Sequence, residues 1–197
     1  MKTLLVCAHG AGGHKDDRGM VRLAGLLEAA GMAVLRFNFA YRERGTPRID
    51  PMPQLQATFR EHAERARAAH PGRRLLLGGR SMGGRVATML AAGGFACDGL
   101  VLAAYPLHPA GKPEKRRDVH LPEIACPVLC LNGTRDALCR RELMEQSLKG
   151  VRAPWRMHWI EGADHSFSVL KSSGRSDADV EREIVAAVSA WLMQLPA

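Results

Sequence analysis

A serine, a histidine and a carboxylate placed together can break an acyl bond, and this chain has all three in telling positions. Ser81 lies in Leu75-Leu76-Leu77-Gly78-Gly79-Arg80-Ser81-Met82-Gly83-Gly84-Arg85, where an apolar strand runs into a glycine-flanked serine and a helical run follows at once. Gly79-x-Ser81-x-Gly83 has the spacing of a nucleophile elbow, a sharp strand-to-helix turn that exposes the hydroxyl. The residues two before and two after the serine must lack bulk so that neighbouring chain can pass. The helix beyond aims its amides and dipole at charge developing near the serine oxygen. A plain Gly-rich turn would share the five-residue pattern. The strand before, the helix after and the doubled glycines on each side favour the elbow.

A serine hydroxyl is a poor nucleophile at neutral pH; it needs a base, and the base needs an orienting acid. His165 fits the base, in Glu161-Gly162-Ala163-Asp164-His165-Ser166-Phe167 between the last strand and the last helix. Asp136, in Asn132-Gly133-Thr134-Arg135-Asp136 one strand earlier, fits the acid. Asp164 competes with it, but a carboxylate immediately before the histidine points elsewhere too easily to hold its ring. Asp136 has a second reading as a helix cap. A tetrahedral oxyanion needs two amide donors from separate loops. Met82, after the nucleophile, supplies one, and Ala11, within His9-Gly10-Ala11-Gly12-Gly13, the other. That loop lacks the G-x-G-x-x-G and Gly-Lys-Ser/Thr patterns of nucleotide sites. Gly10, Arg80, Tyr105 and His108 are the expected substrate contacts. Arg80 and Arg85 flank the nucleophile, where one of them either faces an anionic substrate group or ties loop to helix as an ion pair.

These residues need a scaffold, and the apolar patterning supplies one. Strands are expected at Thr3 to Ala8, Met32 to Phe37, Arg73 to Leu77, Leu100 to Ala104, Pro127 to Leu131 and Trp155 to Ile160. Helices are expected from Asp16 or Asp17 to about Ala30, Gln54 to His70, Ser81 to Ala92, Arg140 to Leu148 and Ala178 to Met193. Arg42 to Pro53 and Tyr105 to Ala125 read as loops. Strand and helix alternate, which predicts an α/β fold with one mostly parallel sheet and helices on both faces. Every polar motif follows a strand, so all should meet at the carboxyl edge of the sheet, where such folds bind ligands. The segment after Leu100 to Ala104 is too short for a helical lid. The site should be open, suited to small or chain-end acyl groups.

The 197 residues suit one domain over residues 1–197, and the 46% apolar content is ordinary for a globular protein. No apolar run approaches a membrane span, and the N-terminal run is too brief for a signal peptide, so the expected location is cytoplasmic. The five cysteines lack C-x-x-C spacing, which argues for reduced thiols over a disulfide framework or a metal site. The net charge of +8 comes mainly from arginine. Without a basic helical stripe or interleaved aromatics, it argues against nucleic acid as a partner. No cofactor is expected.

The motifs together resemble a known family. His9-Gly10-Ala11-Gly12-Gly13, Arg36-Phe37-Asn38-Phe39 with Tyr41, Gly78 to Arg85, Tyr105-Pro106-Leu107-His108-Pro109 through Gly111-Lys112-Pro113-Glu114, Gly133-Thr134-Arg135-Asp136 and Ala163-Asp164-His165-Ser166-Phe167 span nearly the whole chain. They resemble the small bacterial α/β hydrolases related to dienelactone hydrolase, in the branch that includes the hydrolase-like domains of the testis-expressed and NSL-complex proteins. The resemblance implies a triad of Ser81, Asp136 and His165 on a reduced core without the first two strands of the full hydrolase sheet. Dienelactone hydrolases proper use a cysteine nucleophile where this chain has Ser81, so their substrate does not carry over. The expected function is hydrolysis of a small-molecule ester or thioester through an acyl-enzyme; the alternative is a hydrolase-fold binding or scaffold module without turnover.

Overall fold

In the computed structural model, which describes residues 3–196, strands are joined through helices, except that β4 and β5 are linked by a long segment whose one helical turn is the 3-10 turn Leu121–Glu123. Met1 and Lys2, which open the N-terminal run, and Ala197 lie outside the described residues. The strands are β1 (Thr3–Ala8), β2 (Ala33–Phe37), β3 (Arg74–Arg80), β4 (Gly99–Ala103), β5 (Val128–Gly133) and β6 (Trp155–Ile160). The helices are α1 (Arg18–Ala29), α2 (Ala40–Glu43), α3 (Met52–Ala69), α4 (Met82–Ala92), α5 (Arg141–Leu148) and α6 (Asp177–Leu192). The sheet order is β2-β1-β3-β4-β5-β6, and every pairing is parallel.

Residues alternate across a strand, so each buried strand feeds two apolar layers. Leu4, Val6, Leu75, Leu77, Leu100 and Leu102 pack beneath α3 and α4, against Phe59, Ala63, Val86 and Leu90. Leu5, Cys7, Leu76, Val101, Leu129 and Leu131 face α1 and α6, against Leu23, Leu27, Ile184, Val188 and Trp191. Asp17, of the two aspartates considered, caps α1 by accepting from the Met20 amide, and Ser176 with Asp179 forms a capping box on α6.

The loop expected from Arg42 begins instead as the tail of the short helix α2, and α3 starts earlier than the periodicity implies, at Met52 with Pro53 in its first turn. Strand β5 runs two residues further than expected, to Gly133. From β1 the chain winds outward to β2 on one side, and from β3 through β6 on the other. The switch between the two directions lies between β1 and β3, the crevice where open α/β sheets bind ligands.

Candidate active site

Ser81 follows β3 at φ 51° and ψ −116°, a conformation L-residues avoid, and forms the N-cap of α4. Its amide donates to the Ala103 carbonyl at 2.8 Å, which pins the turn to β4. The flanking glycines have a direct cause. A Cβ on Gly79 or on Gly83 would stand 2.3 Å from the same Ala8 carbonyl oxygen, so β1 runs against both sides of the turn. Gly10 lies beside Ser81, where an added Cβ would sit 3.4 Å from Ser81 Cβ.

His165 reaches the serine from the loop after β6. Its Nε2 lies 3.0 Å from Ser81 Oγ, and its Nδ1 lies 2.8 Å from Asp136 Oδ2. A carboxylate can only accept, so Nδ1 carries the proton and Nε2 is left to accept from the serine hydroxyl. The Asp136 side chain is fully buried, and Leu138 N at 2.8 Å and Asn132 Nδ2 at 3.2 Å donate to it. Asp164 is engaged within its own loop, where its Oδ1 accepts from the amides of Ser166 and Ser168.

The loops that carry Asp136 and His165 are bonded to each other. Arg135 N donates to Ala163 O, Thr134 N to Ile160 O, and Gly162 N to Thr134 Oγ1. The contact is so close that a Cβ on Gly133 would lie 2.1 Å from Ala163 O. Asn132, to which the sequence motifs assign no role, supports the Asp136 carboxylate. Fully buried, it donates to Asp136 and to Tyr105 O and accepts from Tyr105 N. An asparagine directly after the apolar run Val128-Leu129-Cys130-Leu131 was the available signal, since a buried amide must be bonded.

Ala11 and Met82 line one cavity with Ser81, of about 460 Å³, and neither amide has a hydrogen-bond partner among the described residues. Two amides from separate loops, beside the same hydroxyl and without a partner, are the donor set that an oxyanion would require. The Ala11 loop is held from several sides. Arg42 donates to the Gly12 and Gly13 carbonyls, and Lys15 N donates to Asn38 Oδ1. His9 is fully buried; its Nδ1 donates to Gly10 O at 2.8 Å and its Nε2 accepts from Phe39 N at 3.3 Å. Burial pushes its pKa down, so it serves as a neutral strut between the loops after β1 and β2.

The expected substrate contacts divide. Tyr105 and His108 are not on the cavity wall, because both are consumed by packing beneath it. Tyr105 is fully buried with its hydroxyl donating to Arg117 O, and His108 bridges Pro109 O and Arg140 N. Arg80 lines a separate cavity of about 370 Å³ beside α1. It donates to Ser166 Oγ at 3.1 Å and His165 O at 3.4 Å, and so ties the base loop to β3. Arg85, by contrast, lines the cavity at Ser81. The remaining walls come from Ile49, Met52 and Leu55 of the α2–α3 region and from Pro106, Pro109, Ala110, Arg117 and Leu138. These lie far apart in sequence and carry no local pattern. No lid helix covers the cavity among the described residues, and no His/Cys/Asp/Glu cluster suited to a metal occurs among them.

Solved structures share this architecture. An α/β serine hydrolase homologue from Coxiella burnetii aligns over 94% of this chain and 85% of its own, at 19% identity and a TM-score of 0.75. A dienelactone hydrolase from Anabaena variabilis aligns over 100% and 88%, at 20% identity and a TM-score of 0.74. A lidless α/β serine hydrolase from Xanthomonas campestris aligns over 98% and 83%, at 23% identity and a TM-score of 0.73. At such identities the likeness is one of fold. A family model described as "Alpha/beta hydrolase domain" matches residues 1–193, nearly the entire chain, and the chain therefore belongs to the α/β hydrolase family.

Proposed function

We propose that the protein is a serine hydrolase that cleaves a small ester or thioester through an acyl-enzyme. The observation that carries this reading is the single imidazole of His165 set between Ser81 Oγ at 3.0 Å and Asp136 Oδ2 at 2.8 Å. Ser81 Oγ attacks the acyl carbon as its proton passes to His165 Nε2, and the carbonyl π pair moves onto oxygen. The amides of Ala11 and Met82 stabilise that oxyanion, and the positive end of α4 adds to the field. Collapse expels the alcohol or thiol, which takes the proton from His165. Water then enters by the same route, and the acid leaves with Ser81 restored. Asp136, held by Asn132 and Leu138, keeps the ring in the required tautomer and stabilises the imidazolium.

A cavity of about 460 Å³ without a lid suits a small acyl group. The five free cysteines fit a reducing, cytoplasmic setting, and no described helix is long and apolar enough to cross a membrane. Labelling with a fluorophosphonate probe and turnover of 4-nitrophenyl esters test the reading. Wild-type protein should label at Ser81 and hydrolyse the esters, and Ser81→Ala should do neither. A folded wild-type protein that resists the probe would instead be a binding module.

A further inference from the structure

The Ser81 cavity contains an unusual charge. Arg85 leaves the first turn of α4 and lines the cavity together with Arg117 from the loop between β4 and β5. Arg85 is half-buried, and its Nε is fully buried with no hydrogen-bond partner. Neither arginine has a carboxylate within 4.0 Å among the described residues. The acids that could have served are engaged elsewhere: Asp118 pairs with Arg116 at 3.1 Å, and Asp50 with Arg44 at 2.5 Å. Arg117 makes one long contact, Nη1 to Pro106 O at 3.5 Å, which leaves most of its donors open.

Burying a guanidinium beside another without an acceptor is unfavourable, and such residues are normally paired. Here burial and the neighbouring Arg117 charge both push the Arg85 pKa down. Pro106, Pro109 and Leu138 on the same wall lower the local dielectric, which strengthens any charge contact made there. A planar donor fork in such a setting matches the two oxygens of a carboxylate or a phosphate. Asp50 shares the cavity: its Oδ1 pairs with Arg44, its Oδ2 is buried without a hydrogen-bond partner, and it lies beyond 4.0 Å of the Arg85 and Arg117 guanidinium nitrogens.

We propose that Arg85 and Arg117 bind an anionic group of the substrate, a carboxylate or a phosphate, while Ser81 attacks its acyl carbon. The proposal rests on the serine-hydrolase reading and narrows it to acidic esters or thioesters. Arg80 is left out of this pair because it lines a different cavity and its Nη2 is bonded to Ser166 Oγ and His165 O.

Mono-4-nitrophenyl adipate and 4-nitrophenyl hexanoate share leaving group and acyl length and differ by the terminal carboxylate. After subtraction of background hydrolysis, wild-type kcat/KM should favour the acidic ester by about tenfold or more, the value of one charge-assisted contact. Arg85→Gln should bring that ratio toward one, chiefly through KM, and Arg85→Lys should restore part of it. Arg117→Gln, on a loop, should lower it as well and carries the test if Arg85→Gln fails to fold. A wild-type ratio of one or less, or a ratio unchanged in these variants, overturns the proposal. If neither ester turns over and Ser81 resists the fluorophosphonate, the hydrolase reading fails by itself. Calorimetry of Ser81→Ala protein with adipate and with inorganic phosphate then decides the anion site. Binding that Arg85→Gln abolishes sustains it and shows which anion is preferred; binding of neither anion, or binding that Arg85→Gln leaves unchanged, overturns it.

Discussion

Gly133→Ala should disable the site without touching any of its reacting groups. Gly133 ends β5, three residues before Asp136, with no left-handed backbone to demand glycine. Its constraint is proximity alone. An alanine Cβ would stand 2.1 Å from Ala163 O, 2.5 Å from the Ala163 carbonyl carbon and 2.8 Å from Asp164 O. Real contacts of this kind stay above 3.0 Å, so the loops must part by about 0.9 Å. That motion pulls the Asp136 loop from the His165 loop and strains the Arg135 N to Ala163 O hydrogen bond of 2.9 Å. Overpacking of this kind costs about 1–3 kcal/mol, which for a chain of this size lowers Tm by about 2–12 °C. Misplacement near 1 Å in a catalytic array costs about 100-fold in rate. Scanning fluorimetry and 4-nitrophenyl acetate kinetics measure both effects. A Gly133→Ala enzyme with wild-type Tm and kcat/KM within twofold would show that the acid and base loops are not rigidly coupled.

Further substitutions separate neighbouring roles. Asp136→Asn should lower kcat by about 10³-fold or more through loss of the ring's tautomer, whereas Asp164→Asn, which alters only a local turn, should remain within about fivefold in the same ester assay. Asn132→Ala leaves the Tyr105 backbone groups and one Asp136 oxygen short of partners, and should cost about 2–4 kcal/mol in urea unfolding and lower kcat. His120 carries a pH signature. Burial, reinforced by the nearby Arg85 charge, lowers its pKa from 6.5 to about 4, while Thr88 Oγ1 lies 2.8 Å from its Nε2. Between those values the unfolded chain holds the extra proton, so this contribution to stability is present above about pH 6.5 and is lost as pH falls toward 4. Discounted for partial exposure, it is on the order of 1–2 kcal/mol, and the urea midpoint of His120→Gln should fall less steeply over that interval than wild type.

Much of this molecule could be read before folding, for reasons that are local. Strands buried on both faces appear as continuous apolar runs, such as Thr3–Ala8, and glycine or proline marks their ends. The elbow is equally legible, because its glycines and serine lie within five residues, although the contact that requires the glycines, with Ala8 of β1, forms only in the folded sheet. Right-handed crossovers then carry every post-strand loop to one edge, which is why Ser81, Asp136 and His165 could be grouped without coordinates.

Side-chain direction was not local. Arg80 and Arg85 looked equivalent in sequence, yet one ties down the His165 loop and the other enters the Ser81 cavity. Tyr105 and His108 follow a strand as a pocket residue would, but the returning segments around Arg117 and Arg140 use their polar atoms and cover them. Composition and patterning thus determine which elements form and at which edge the polar loops collect, since both follow from neighbours in the chain. Tertiary packing alone decides which arginine is left without a partner and how closely Gly133 meets Ala163, because those distances belong to segments that meet only when the sheet is assembled.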